Sequence, residues 1–258
     1  MKISIVTITY NAASVLQRTL DSVAGQTYSD IEHVIIDGAS KDGTLELIRN
    51  YESRIKHYEV SVVSEPDRGI YDAMNKGLQK ATGDYIIFMN AGDTFHEATT
   101  LEKVVQGVER EAKGKEPAVI YGDTDIVDAK GNFLRKRHLS APEQLSWRSF
   151  KNGMLVCHQA FYARLDMTRN IHYDLQYRHS ADVDWCIRVM KEAERQHLPL
   201  VNVHAVLADF LDGGDSKQNH RDSLKERFDV MRRHYGLLTT LVMHVRFVFR
   251  NIKSLVSR

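Results

Sequence analysis

Four short acidic stretches hold the side chains best placed to do chemistry: Asp37 to Asp42, Glu65 to Asp67, Asp93, and Asp182 with Asp184. Each falls at a predicted strand end or helix start. A hard divalent cation carrying a diphosphate suits such a rim of oxygen ligands. An acidic loop taken alone serves equally well as a solvated turn. Convergence of several loops on one edge weighs against that bland alternative, and it requires the strands beneath them to run parallel.

The elements that must position these residues follow in order. Ile3–Ile8 is an apolar strand run ending in Thr9-Tyr10-Asn11, and Ser14 with Gln17 forms a capping-box pattern that predicts a helix onset. His33–Ile36 is a second strand, broken at Asp37-Gly38-Ala39-Ser40-Lys41-Asp42-Gly43-Thr44. Val60–Val63 is a third, broken at Glu65-Pro66-Asp67-Arg68-Gly69, with a helix predicted over 70–80. Tyr85–Met89 reads as a buried central strand that stops at Asn90-Ala91-Gly92-Asp93. A carboxylate just past such a strand sits at the mouth of an open α/β sheet, where ligands bind. Strand, loop and helix alternate, with the unusual polar residues after the strands, which predicts a mainly parallel sheet flanked by helices.

Composition narrows the class. The chain has 258 residues, 43% hydrophobic and 27% charged, with a formal net charge of +1. It offers no basic stripe for nucleic acid. Cys157 and Cys186 make neither a disulfide framework nor a CxxC pair, and Met1-Lys2-Ile3 enters a strand directly, so a cytoplasmic protein is expected. No GxGxxG follows the first strand, no P-loop is present, and Cys157-His158 lacks a second pair of zinc ligands.

Taken together, Thr7–Asn11, the Asp37–Thr44 loop, the Glu65–Gly77 segment, Thr82-Gly83-Asp84-Tyr85 and Phe88–Asp93 resemble family 2 glycosyltransferases in order and spacing across about the first hundred residues. The resemblance implies a GT-A fold and an inverting, metal-dependent sugar transfer, hexosyl or N-acetylhexosaminyl, from a nucleotide-sugar donor, UDP-sugar foremost. The acceptor would be a hydroxyl of a glycan or lipid-linked saccharide, in cell-surface polysaccharide synthesis.

By position, the resemblance places Thr9, Asn11, Asp37, Asp67, Lys76, Asn90, Ala91 and Gly92 along the nucleotide sugar, and Asp93 on Mg²⁺ or Mn²⁺. Asn90 and Gly92 depart from the family's acidic pattern, leaving Asp93 the local carboxylate. Ala181-Asp182-Val183-Asp184-Trp185 matches the later part of the family's base motif, with Ala181 where a Glu is usual. Asp182 would then be the general base, and His158, Gln159 and Asp184 would line the acceptor side. Either aspartate also suits a helix N-terminus through the dipole alone. Phe210–Ser216 resembles the family's Gly-Gly-x-Ser loop.

Two domain-level expectations close the reading. Residues 1–220 form the GT-A domain, with 1–100 the nucleotide-sugar half and 101–220 the acceptor half, and residues 221–258 form a helical extension. In that extension Leu238, Leu241, Val242, Val245 and Val248 keep helical spacing among Arg246, Arg250, Lys253 and Arg258, a pattern that suits a membrane interface or packing against protein. The alternative function is a noncatalytic nucleotide-sugar-binding or scaffold protein of the same fold.

Overall fold

The computed structural model describes residues 1–213 and 220–256, the side chains of residues 220 and 248–256 excepted. In chain order the elements are β1 (Ile3–Thr9), α1 (Leu16–Ala24), β2 (Ile31–Asp37), α2 (Thr44–Arg54), β3 (Glu59–Ser64), α3 (Ile70–Lys80), β4 (Tyr85–Phe88), β5 (Thr94–Phe95) and α4 (Thr100–Glu111). Then come β6 (Val119–Val127), β7 (Phe133–Lys136), β8 (Phe161–Arg164), α5 (Leu165–Thr168), α6 (Ala181–Arg195), β9 (Leu200–Leu211), α7 (His220–Tyr235) and α8 (Leu237–Val256). Two 3-10 turns, Trp147–Asn152 and His158–Ala160, lie between β7 and β8.

β1 and β2 are buried at all seven positions, as β-branched strands covered on both faces must be. The sheet runs β3-β2-β1-β4-β8-β6-β9-β5, with β7 paired to β6. The first four strands are parallel, β8 runs against both β4 and β6, and β9 runs parallel to β6. The mainly parallel sheet flanked by helices is therefore the observed class. Its register leaves the C-terminal ends flush: Thr9 stands opposite Asp37, and Asp37 opposite Ser64. Beyond β4 the ladder continues as Met89 N–H donates to Val6 O and Ala91 N–H to Ile8 O. Asn90 is thereby set beside the end of β1.

Leu16, Leu20, Ile35, Ile48 and Tyr51 form one core cluster and a larger one lines the rest of the sheet. Each fully buried aliphatic side chain contributes about 1.5–3 kcal/mol.

Two local expectations change. Helix α1 starts at Leu16 rather than Ser14 and has no side-chain cap. The preceding turn is taken by tertiary bonds, Ala12 N–H to Thr44 Oγ1 and Ala13 N–H to Asp42 Oδ2, which outweigh the capping pattern. The sequence reads as a strand over Ala118–Tyr121 and a separate hairpin arm over Asp123–Asp128 that turns back through Gly131–Leu134. The hairpin forms, but its first arm and the strand are one element, β6, with a register shift against β9 between Tyr121 and Thr124, around Gly122.

Helix α7 is docked on the domain. Glu226 of α7 accepts the backbone N–H groups of Arg178 and His179, Tyr177 donates to Asp229, and His234 pairs with Asp184 of α6 at 2.7 Å. Of the Phe210–Ser216 loop, Gly214, Asp215 and Ser216 lie outside the described residues, as do the side chains of Val248, Arg250, Lys253 and Arg258.

Candidate active site

The three parallel strand ends supply the first wall. The Asp37 carboxylate accepts Ser40 N–H at 3.0 Å, the Ser40 hydroxyl, and Ser64 Oγ at 2.7 Å, so it is fixed from two loops. Asn11 N–H donates to Ser40 Oγ (2.8 Å) and its Oδ1 accepts Lys41 N–H (2.9 Å), stitching the β1 loop to the β2 loop. Asn11 and Ala39 both take positive φ, 47° and 61°. For alanine that conformation carries steric strain, the kind surrounding structure must enforce.

Gly38 lets Asp67 approach: a Cβ there would stand 2.6 Å from Asp67 Oδ2. Asp67 itself accepts Gly69 N–H at 2.9 Å. Tyr10, which the motif reading passed over, lies against the same glycine with 63% of its surface exposed. The signal was available, since a large aromatic directly after a buried strand has no core left to enter.

The β4 end forms the second wall. Gly92 takes φ 100°, a conformation that strains any residue with a side chain, and Leu211 Cδ2 would stand 2.7 Å from a Cβ there. Thr19 of α1 accepts Gly92 N–H (2.8 Å) and donates to Asp93 O (2.7 Å), clamping the loop. Asp93 is buried, and both its oxygens are engaged: Gln159 Nε2 donates to Oδ2 at 2.6 Å and Leu211 N–H to Oδ1 at 3.0 Å. Burial pushes its pKa up, and the Gln159 and Leu211 hydrogen bonds only partly offset that. A buried carboxylate facing neutral donors is a group that a divalent cation would stabilise, so the site chemistry fits a metal here, through exchange of one of those two bonds.

Asp182, at the first turn of α6, forms the third wall, with 16% of its side chain exposed. Tyr71 of α3 donates to its Oδ1 at 3.1 Å, and His158 Nδ1 lies 3.4 Å from its Oδ2. Burial alone would raise its pKa. The contact with His158, the more distant Arg227 and the Val183 N–H outweigh burial and hold it below the usual carboxylate value. On the other side of the ring, Asn90 Nδ2 lies 3.1 Å from His158 Nε2. Asn90 has the donor, so the ring's own proton is assigned to Nδ1, facing Asp182. A continuous chain Asn90–His158–Asp182–Tyr71 therefore joins the β4 loop to α6.

Three buried polar atoms along these walls have no partner: Thr9 Oγ1, Asn90 Oδ1 and Gln159 Oε1. Orphaned buried acceptors are rare and mark places where a ligand completes the bonding.

Two sequence-nominated residues are placed elsewhere. Lys76 directs its ammonium to Pro66 O (2.8 Å) and Glu65 (2.9 Å), so it braces the β3 loop. Asp184 stands roughly 200° around the helix from Asp182. It is buried against Arg188 and His234, which tie α6 to its own next turn and to α7. Tyr71 was missed because its role depends on a partner 111 positions away. A further ligand-like group, His96, Asp125 and Asp209, keeps its ligand atoms within 4.8 Å of one another. It borders a cavity of about 350 Å³ lined also by Arg18, Asp21 and Ser22 of α1.

A family model described as Glycosyl transferase family 2 matches residues 4–168. A PGL/p-HBAD biosynthesis glycosyltransferase of Mycobacterium bovis is 35% identical over 187 residues, 72% of this chain and 68% of that protein. The amylovoran biosynthesis glycosyltransferase AmsB of Erwinia amylovora is 28% identical over 211 residues, 79% of this chain and 69% of AmsB. Among solved structures, S. aureus TarS 1-349 in complex with UDP has a TM-score of 0.67 at 16% identity, covering 94% of this chain and 65% of that one. The mannosyltransferase PcManGT of Pyrobaculum calidifontis, in complex with GDP-Man and Mn²⁺, has a TM-score of 0.63 at 16% identity, covering 93% and 73%. At such identities the likeness shows a shared fold.

Proposed function

The chain belongs to glycosyl transferase family 2, and from that premise we propose that it transfers a hexosyl or N-acetylhexosaminyl unit, with inversion, from a UDP-sugar to a hydroxyl of a glycan or lipid-linked saccharide. The setting is cell-surface polysaccharide synthesis, at the cytoplasmic face of the inner membrane. Residues 1–220 are the GT-A domain and 221–258 a helical extension. TarS has been solved with UDP and with UDP-GlcNAc, which supports a uridine donor.

In this reading Asp37 and Asp67 hold the base and ribose, Tyr10 stacks on the base, and Thr9, Asn11 and Asn90–Gly92 follow the diphosphate. Asp182 takes the acceptor hydroxyl proton as that oxygen attacks the donor sugar C1. The bond from C1 to the diphosphate oxygen breaks with its electron pair, and inversion follows from attack opposite the leaving group. His158 and Tyr71 fix the carboxylate's direction and keep it ionised. Asp93 would hold Mg²⁺ or Mn²⁺, whose charge favours the departing diphosphate.

The observation that carries the reading is the turn at His158–Ala160. Two successive residues serve the two acids, His158 contacting Asp182 and Gln159 binding Asp93, so donor wall and base are built as one unit. The test is release of nucleoside diphosphate from a panel of nucleotide sugars, with Mn²⁺ or with a chelator. Metal-stimulated release from one donor, absent in Asp182→Asn, supports the reading. Release of pyrophosphate, or no donor binding at all, would sink it.

A further inference from the structure

Helix α8 carries a surface that the domain leaves uncovered. Leu237, Leu238, Leu241, Val242 and Val245 are 54%, 77%, 47%, 59% and 57% exposed. At about 100° per residue they fill one arc of roughly 140°. The opposite side is packed: Thr240 and Met243 are buried, and the His244 ring meets Phe228 of α7 at 4.9 Å. This is a helix docked by one face and bare on the other.

Charge identifies the occupant. From Val230 to Arg258 the sequence contains no Asp or Glu. Arg232 and Arg233 are paired to Asp229 and Asp174. Beyond Gly236 stand Arg246, Arg250, Lys253 and Arg258, a local charge of +4 against +1 for the whole chain. Three of these charges, Arg246, Arg250 and Lys253, fall within the helix that carries the bare apolar arc, and the chain before Gly236 is net acidic. A second copy on this face would set basic helix against basic helix. The helix has 20 residues, yet among the described residues none is long and apolar enough to cross a membrane.

We infer that α8 is an in-plane anchor for an anionic bilayer. The Leu237–Val245 arc enters the boundary between head groups and acyl chains, and the arginines and lysine meet anionic head groups. This deepens the proposed function by naming the surface on which a lipid-linked acceptor is met, and it rests on that function only for its purpose. The anchor is mechanically joined to the site: α8 packs on α7, and α7 is held to α6, which carries Asp182. Docking α8 sets the acceptor side of the cleft at a fixed height above the lipid.

The test is flotation of the full chain with phosphatidylcholine vesicles, with and without phosphatidylglycerol as a minor component, at low and high salt. Binding at least about tenfold stronger to the anionic vesicles, and weakened by salt, is expected. Leu238→Glu with Val242→Glu alters only exposed side chains, so thermal unfolding should not move. Vesicle binding should fall about tenfold or more. Nucleoside diphosphate release to a water-soluble acceptor should be unchanged in that double variant, so vesicle binding and transfer succeed or fail separately. The inference is overturned if the wild type floats with neither vesicle, or binds both alike, or is indifferent to the double substitution. Light scattering that finds a dimer dispersed by the same substitutions would also overturn it, by assigning the face to a second copy.

Discussion

Asp93 and Asp182 are both acids largely withdrawn from water, and the protein tunes them in opposite directions. Burial raises both pKa values. At Asp93 the contacting groups are a neutral amide and a backbone N–H, and burial wins. At Asp182 the nearest group is an imidazole, with Arg227 further out, and the carboxylate ends below its usual value. Depth alone therefore predicts nothing about the state of a buried acid; the chemistry of its first neighbour decides. At one carboxylate burial prevails, as suits a group awaiting a cation, and the other is held ionised, as suits a base.

The largest effect should come from Asp182→Asn, which keeps shape and removes the proton acceptor. Turnover should fall by about 10²–10⁴, while donor affinity measured by calorimetry stays within about a factor of two. Near-normal turnover would assign proton transfer elsewhere and dissolve the contrast between the two acids. Asp93→Ala should come next. Stimulation by Mn²⁺ should vanish, and donor KM should rise by roughly tenfold or more. If the variant still answers to Mn²⁺, the cation sits elsewhere, with the His96, Asp125 and Asp209 group the first place to look.

A smaller effect sharpens the comparison. His158→Ala removes the Nδ1–H that faces Asp182 and leaves the burial of that carboxylate less offset. Its pKa should then move up, so the acid limb of the rate profile should shift to higher pH, with turnover reduced by about tenfold. In the wild type Asp182 is held ionised by its lowered pKa, so any acid limb it sets should lie at lower pH than in the variant. A variant with an unchanged acid limb would mean that His158 serves only to pack the turn.

Much of this was legible in the sequence, and what was hidden has one physical cause. Thr9, Asp37, Asp67 and Asp93 follow strands directly, so a parallel sheet brings them to one edge once the alternation of elements is read. The partner of each acid was not legible. Gln159 reaches Asp93 across 66 positions and Tyr71 reaches Asp182 across 111, and no local period encodes such pairs. The partners of Lys76 and Asp184 were hidden for the same reason. A charge next to a motif looks functional until its tertiary neighbours, Glu65 for one and His234 for the other, are seen to occupy it.

The smallest effect concerns stability, and it extends the comparison to a titratable group with no charged neighbour. His33 is fully buried, contacting Thr7 Oγ1 at 2.9 Å and Tyr51 OH at 2.7 Å, and burial lowers its pKa to about 3. Its folded value lies below the unfolded value of about 6.5. Its contribution is therefore complete above pH ~6.5 and is lost as pH falls toward the folded value, at up to about 1.4 kcal/mol per unit. Glu32 acts in the same direction, but its pKa falls from 4.5 to about 2, so its window opens only below 4.5. Urea unfolding of wild type and His33→Gln between about pH 6.5 and pH 5 therefore reads the histidine as the difference between two slopes, since every other titrating group is common to both. His33→Gln keeps a donor and an acceptor and cannot titrate. Its stability should be lower than wild type at neutral pH and should vary less across that window. Equal slopes in the two proteins would mean that another group, not this buried ring, sets the acid sensitivity of the sheet.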